Sequence, residues 1–206
     1  MRAIYILPAL LIAGCSPSRT ATNTTADINA AAGRAQGDID NYAANDATVA
    51  TPASLTPAEP GQPGGLPHDK TPVSEAPFAA DSPQGAANVV QTYYALIGEG
   101  RYRQAWSLWR DGGKASGQSA DVFAASFARY SEYHANIGAP GPEDAGAGQR
   151  YVTVPVQAYA RLKSGAALYW IGNAVLHRTA DIDGATAEDK AWRIMSIDLK
   201  PAPAAK

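Results

Sequence analysis

Residues 151–178 read YVTVPVQAYARLKSGAALYWIGNAVLHR, and this stretch decides the fold. The alternation of apolar and polar side chains in its first half predicts a half-buried β-strand over 151–162, and Pro155 predicts an edge position or a bulge. The Lys-Ser-Gly run that follows predicts a turn into a second strand over 167–178. The middle of that strand is apolar on both faces, as expected of a central strand covered by helices on one side.

Helical patterns precede these strands. Ser82 followed by proline is a typical helix start, and the apolar residues behind it repeat at helical spacing as far as Gly98. A second, shorter helix is predicted over 102–109. Ser119 is predicted to cap a third helix, whose apolar stripe consists of Phe123, Phe127 and Tyr130.

A polar loop over 179–190 leads to a last predicted strand over 191–199. Three helices followed by long antiparallel strands are typical of the α+β class. We therefore predict one α+β domain over residues 82–200, with N-terminal helices packed on an antiparallel sheet.

Three segments of this domain resemble the NTF2-like superfamily, whose fold is also called cystatin-like. They are ANVVQTYYALI at 87–97, GRYRQAW at 100–106 and AWRIMSIDL at 191–199. The first two are similar to the helix, small-residue break and second helix that open such domains, and the third is similar to the last strand. The resemblance implies a curved sheet wrapped round a long helix, with a cone-shaped cavity open at one end. It does not fix an activity, because this fold hosts isomerases, dehydratases, ligand binders and assembly modules.

The first 15 residues, MRAIYILPALLIAGC, have the features of a signal peptide. Arg2 precedes an apolar run that is too short to span a bilayer, and small residues lead to the only cysteine. The end of the stretch, LIAGC, resembles the lipobox of bacterial lipoproteins. The resemblance implies cleavage after residue 14, attachment of a diacylglyceryl group to the Cys15 sulfur, and acylation of its new amino group. The alternative is an ordinary signal peptide in which Cys15 is incidental.

Residues 15–81 are predicted to form a disordered tether rather than part of the domain. Their second half is rich in proline and glycine, and their first half in alanine, threonine, asparagine and aspartate. Apolar residues at heptad-like spacing allow a helix over 27–43, for which a frayed helix is favoured over a coiled-coil dimeriser. Residues 201–206 are predicted to be a disordered tail. The expected organisation is a single domain on a lipid-anchored tether.

The composition and motifs argue against several classes of site. The net charge of −2 gives no electrostatic reason to expect a nucleic-acid partner. The DIDG run at 181–184 lacks the oxygen ligands that a calcium loop needs at its first and twelfth positions, and no His or Cys pair has zinc spacing. Phosphate-loop and serine-nucleophile signatures are missing from the sequence. We therefore predict no metal and no cofactor.

The resemblance implies that a catalytic residue would be an Asp, His or Tyr inside the cone. The candidates are Tyr93, Tyr130, His134, His177 and Asp198. No acid–base pair with an orienting partner is recognisable among them, so we predict no catalytic residues. Of the two histidines, one is expected at the end of a helix and the other in a strand.

Large aromatic side chains are the best candidates for a binding pocket. Tyr93, Trp106, Phe127, Tyr130 and Trp170 could line a cavity for an apolar small molecule. Aromatic residues at helical or strand spacing are also typical of a core, and a domain of about 120 residues needs them there. Core packing is the favoured interpretation, and the pocket is the alternative.

These features predict a membrane-anchored lipoprotein of the cell envelope that faces the periplasm. Ser16 follows the lipidated cysteine where lipoproteins of the inner membrane carry Asp, which favours the outer membrane. The domain is expected to bind an envelope protein or an apolar small molecule without catalysis. The alternatives are an enzyme of the isomerase or dehydratase type, and an assembly subunit of an envelope or secretion complex that forms homodimers through the open face of its sheet.

Overall fold

The computed structural model describes residues 32–41, 53–67 and 77–203. The signal peptide over 1–14 and the lipid attachment site Cys15 lie outside these ranges. The chain forms two compact units, Met1–Thr51 and Pro52–Lys206. In the first unit residues 32–41 form an exposed helix, α1, in which the Gln36 side chain donates a hydrogen bond to Asp40.

The second unit has the predicted α+β architecture, with helices preceding and flanking an antiparallel sheet. Its helices are α2, α3, α4 and α5, at Pro83–Gly98, Tyr102–Ser107, Ala120–Ser126 and Ala187–Lys190. Its strands are β1, β2, β3, β4 and β5, at Tyr130–Ile137, Asp144–Gly146, Gln149–Leu162, Ala167–Thr179 and Arg193–Pro201.

The sheet is built around the long hairpin of β3 and β4, which pair from Gln149↔Thr179 to Arg161↔Ala167. The strand order is β1-β3-β4-β5, and β2 pairs with β3 beyond the end of β1. Pro155 lies at the point where the partner on one edge of β3 changes from β1 to β2. Its carbonyl accepts a hydrogen bond from Gly138, which lies just after β1. The N and C=O of one strand residue point to the same side, so the missing N–H of Pro155 faces this break in the ladder.

The predicted helix starts are confirmed. The Ser82 hydroxyl accepts a hydrogen bond from the backbone of Gly85, and the Ser119 hydroxyl accepts one from Val122, so both serines are N-caps. Helix α2 ends at Gly98, as expected. Gly100, at φ 72°, then turns the chain into α3.

The boundaries differ from expectation after α3. This helix ends at Ser107 rather than at residue 109, and α4 ends at Ser126 rather than continuing to Tyr130. Tyr130 instead begins β1, which the sequence reading missed, so His134 lies in a strand and not at a helix end. A stripe at i, i+4 and i+7 can be read either as one helix or as a helix followed by a strand, and the alternation after Tyr130 is short.

The core lies between the helices and one face of the sheet, called here the inner face. Leu176, Val152 and Ile194 of the sheet are fully buried there against Val90 and Tyr93 of α2. A bulge in β5 opposite the Val175–Leu176 step shifts the alternation by one residue. The buried side chains of β5 and the segment before it therefore run Trp192 and Ile194, then Ile197 and Leu199.

The opposite, outer face of the sheet is covered in part by residues 53–67, called here the strap. Gln157 donates hydrogen bonds to the carbonyls of Ala58 and Gly64, at 2.8 and 2.9 Å, and is only 3% exposed. Arg161 donates to the carbonyl of Ala53. We expected 15–81 to be a disordered tether, but the compact unit begins at residue 52 and includes this stretch.

The C-terminal boundary also differs slightly. Pro201 ends β5 rather than starting a disordered tail, and the backbone N–H of Ala202 donates to the carbonyl of Tyr169. Within the described ranges, no helix combines the length and apolar character needed to cross a bilayer.

Candidate functional site

The candidate site is a polar cleft of about 550 Å³ at one end of the sheet. It lies on the outer face, at the end where β3 begins and β4 ends. We call it the polar cleft because many of the side chains that line it are charged or polar. They include Arg110, Asp111, Gln149, His177, Asp189 and Arg193.

Strand register places the basic side chains of the cleft next to one another. His177 of β4 pairs with Tyr151 of β3 on one side and with Arg193 of β5 on the other. The chain around Arg110 lies along the free edge of β5, because the backbone N–H of Arg110 donates to the carbonyl of Ile194 at 2.8 Å. Trp109 pairs with Ile194 in a parallel bridge, so Arg110 and Arg193, each one residue from that pair, lie on the same face and both line the cleft.

His177 is neutral in this setting. Its side chain is nearly buried, at 6% exposure, and burial together with the charge of Arg110 lowers its pKa below the usual value. Its Nε2 lies 2.5 Å from the Gln149 Oε1, which can only accept, so Nε2 carries the proton. The ring also packs at 4.9 Å from that of Tyr151. The histidine is thus held by two neighbours on β3 and acts as a hydrogen-bonding group, not as a cation.

Two of the three acidic side chains that line the cleft have partners within the chain. Asp189 caps α5 by accepting hydrogen bonds from the Thr186 backbone and hydroxyl, and these bonds lower its pKa. Asp111 has a left-handed backbone, at φ 56°, and its carboxylate lies 3.6 Å from Arg110 Nε. Aspartate is one of the residues that tolerate this conformation. The cleft therefore has fixed acidic groups beside two guanidinium groups.

The predicted aromatic residues form a different feature. The rings of Phe127, Tyr130 and Tyr133 pack against one another at 5.2 to 6.3 Å beside the C-terminal end of α2, and Tyr133 meets the other two edge to face. Trp170 joins them on β4, with its ring 6.3 Å from that of Tyr130. Phe127, Tyr130 and Tyr133 border a shallow cleft of about 180 Å³, called here the aromatic cleft.

Three of the predicted pocket residues do not line the aromatic cleft, although one of them, Trp170, packs against its border at Tyr130. Tyr93 is in the core, 4% exposed, where it packs against Trp109 and Phe123. Trp106 lies apart, and its indole N–H donates to Ser116 Oγ and to the carbonyl of Gln118. Trp106 therefore closes the loop before α4, which spacing alone could not distinguish from a pocket position.

Burial raises the pKa of Tyr93 and Tyr133 well above the usual value, and for Tyr133 the neighbouring Tyr130 adds to the effect. Both phenols therefore stay protonated throughout the physiological range. They can donate hydrogen bonds, but they do not serve as bases at neutral pH.

The candidate catalytic residues are separated. His134 stacks on Tyr159 of β3, whereas His177 packs against Tyr151, and these tyrosines are eight residues apart on one strand, or roughly 26 Å. Asp198 is exposed on β5. In the ranges that the structure covers, no group of three or more His, Cys, Asp or Glu residues is placed to hold a metal ion.

The sequence reading did not single out Arg110, Gln149 or Arg193. The sequence places Arg110 in a glycine-rich loop over 110–118, Gln149 before the strand predicted over 151–162, and Arg193 at an unremarkable position of the last predicted strand. The available signal was the run of polar residues at the matching ends of β3, β4 and β5, which antiparallel pairing brings together.

Comparison with known proteins gives little further guidance. No family model matches the chain, and no curated protein matches it. A solved structure that matches is that of the Kfla4162 protein from Kribbella flavida, at 14% identity and a TM-score of 0.41. The match covers 56% of this chain and 87% of the other.

Proposed function

We propose that this protein is a lipid-anchored module of the bacterial cell envelope, with an NTF2-like domain that binds a ligand without catalysis. The observation that carries the binding part is the position of open space in the molecule. The interior between the helices and the inner face is filled by side chains such as Tyr93 and Leu176, whereas the polar cleft opens on the outer face.

The interior favours binding over catalysis. An NTF2-like enzyme would hold its acid and base inside the cone, and Tyr93 there has a strongly raised pKa and aromatic neighbours. His134, His177 and Asp198 all lie on the outer face, and the two histidines are far apart. An acid and a base that act in the same step must each lie within hydrogen-bond reach of the bound substrate.

The NTF2-like assignment draws on the resembling segments at 87–97, 100–106 and 191–199 and on the architecture. The long helix α2 packs on a four-stranded antiparallel path that ends in β5, the order of elements that the resemblance implies. Bulges in the pairing of β1 and of β5 are the local feature that curves such a sheet.

The ligand is expected to be polar rather than apolar. We expected an apolar small molecule from the aromatic residues, but the aromatic cleft of about 180 Å³ is small for a drug-sized ligand. The polar cleft has about three times that volume and is bordered by guanidinium, imidazole and amide groups.

The anchor is carried by LIAGC at residues 11–15 and is tested by labelling cells with a palmitate analogue. The wild-type chain should incorporate the label and fractionate with the outer membrane. Cys15→Ala should lose the label and the membrane association. Ser16→Asp should keep the label but move to the inner membrane.

An unlabelled wild-type chain, or a mature N-terminus other than Cys15, would overturn the anchor. Equal distribution of the wild type and Ser16→Asp between the two membranes would overturn only the outer-membrane assignment. The two variants therefore report on separate parts of the proposal: Cys15→Ala on the anchor and Ser16→Asp on the choice of membrane.

A further inference from the structure

We propose that the polar cleft binds a small ligand through one oxyanion group, a carboxylate or a phosphate, held between Arg110 and Arg193. This inference deepens the proposed function, because it names the ligand chemistry of the cleft on which that function rests. It depends on the arrangement of side chains at this end of the sheet and not on the lipid anchor.

The two arginines line the same cleft, and each has few acceptors. Within the described part of the chain, Arg193 has no carboxylate within 4.0 Å, and its Nη1 reaches only the carbonyl of Trp192, at 3.4 Å. Its buried Nε has no acceptor among the residues that the structure describes. Arg110 has only the neighbouring Asp111, at 3.6 Å.

An oxyanion would supply what this pair lacks. A buried donor without an acceptor and two like charges in one cleft both cost free energy, and one carboxylate or phosphate between the two arginines would offset these costs. The planar fork of arginine matches the geometry of these two groups in particular.

Gln149 adds a neutral donor to the same site. Its Oε1 accepts from His177, which fixes the amide so that Nε2 is the group with free hydrogens. His177 is nearly buried and uncharged, so it contributes orientation rather than attraction. The site thus combines two cations with one oriented amide.

The acidic residues of the cleft limit the charge of the ligand. Asp111, Glu188 and Asp189 border the same space, and Asp189 is held in place by Thr186. These carboxylates repel a polyanion over the distances of such a cleft. The fitting ligand therefore has a single oxyanion group, with a neutral or cationic remainder facing the acidic side chains.

The test measures the melting temperature of the lipidated full chain in neutral detergent, titrated with sodium acetate or inorganic phosphate at constant ionic strength set with chloride. A ligand that binds the folded state raises the melting temperature saturably. We expect this for at least one of the two anions. Arg110→Gln and Arg193→Gln should each raise the half-saturating concentration about tenfold or more, the loss of one charged hydrogen bond.

Arg103→Gln is the matched control, because Arg103 is an exposed arginine paired with Asp121 elsewhere on the surface. It should leave the half-saturating concentration unchanged. Arg110 is 41% exposed in its side chain, so its substitution should leave the fold intact even if Arg193→Gln does not fold.

A response to phosphate alone assigns a phosphate ligand, and a response to acetate alone assigns a carboxylate. The absence of a saturable shift with either anion would overturn the inference, as would an equal loss in Arg103→Gln. Neither result bears on palmitate labelling at Cys15, so failure of this inference is separable from failure of the anchor.

Discussion

The two faces of the sheet are covered by chain segments of opposite character. The inner face is covered by helices through apolar side chains, with Leu176 and Val90 fully buried at the contact. The outer face is covered in part by the strap, which has four prolines in residues 53–67 and is bound mainly through its backbone carbonyls. One face is held by burial of apolar surface and the other by hydrogen bonds.

The strap shows how a proline-rich segment can pack without secondary structure. Proline removes backbone donors but leaves every carbonyl as an acceptor. The outer face supplies the missing donors, because Gln157 uses both amide hydrogens and Arg161 uses its guanidinium. In return, the hydroxyl of Tyr169 accepts from the backbone of Thr56. The donor-poor strap and the donor-rich strand face are complementary.

This comparison also bears on self-association. An exposed sheet face is the surface through which we expected homodimers to form, and here the strap occupies the part of it around Gln157 and Tyr169. A dimer that used this part of the face would have to displace the strap. The polar cleft lies at the other end of β3 and β4, where the strap makes none of these hydrogen bonds.

The largest expected effect is on the inner face. Leu176→Ala should lower the free energy of unfolding by about 3 kcal/mol, because a fully buried leucine leaves a cavity when it is truncated. Urea unfolding followed by tryptophan fluorescence measures it. Val122→Ala is the control, since Val122 is 58% exposed and should change stability little. A loss below about 1 kcal/mol would mean that the inner face is not the main core.

A smaller effect is expected on the outer face. Gln157→Leu should cost about 2 kcal/mol, because it removes the donor to two strap carbonyls and the acceptor for Asn136. It should also make the strap cut faster by a nonspecific protease while the sheet stays protected. Thr153→Ala, an exposed position on the same face of β3, is the matched control. If the strap is equally protected in both variants, its hydrogen bonds do not hold it.

The stability of α2, which covers the inner face, can be tested separately at its N-cap, Ser82. Ser82→Ala should destabilise by about 1 kcal/mol, because the first turn of α2 loses the acceptor for Gly85 N–H. Ser82→Asn retains an N-cap acceptor and should stay near wild type in the same urea experiment. A loss of equal size in both variants would indicate that the serine acts through packing rather than as a cap.

The inner face was largely predictable from sequence, because apolar periodicity directly reports burial against helices. The caps at Ser82 and Ser119 and the β3–β4 hairpin followed from local patterns. Strand β1 did not, since a bulge near Tyr130 breaks its alternation. The bulge in β5 likewise hid which face Met195 occupies, and it is 40% exposed.

The outer face was not predictable by the same reasoning. A segment with few apolar residues and many prolines has the composition of a disordered chain, and its packing depends on donors that lie about 100 residues away in sequence. Gln157 and Arg161 looked like solvent-facing positions of a half-buried strand. The one available signal was the apolar outward side of β4 at Tyr169 and Ile171, which implied a cover. The polar cleft escaped notice for the same reason, since its residues converge only through strand register.

The smallest expected effect is a pH dependence of stability that arises from His177 in the polar cleft, at the end of the outer face away from the strap. Burial and the charge of Arg110 lower the pKa of His177 in the folded chain, so the unfolded chain binds more protons below about pH 6.5. The stabilisation that comes from a neutral imidazole is therefore fully present above that pH. It is lost as the pH falls through the lowered pKa of His177 in the folded chain. Urea midpoints at pH 7.5 and 5.5 should differ more for the wild type than for His177→Gln. His134→Gln is the control and should keep the wild-type difference, because that half-exposed ring stacks on Tyr159, away from the polar cleft. A pH response that survives His177→Gln would place the proton-linked group elsewhere and would remove the evidence that the polar cleft keeps its histidine uncharged.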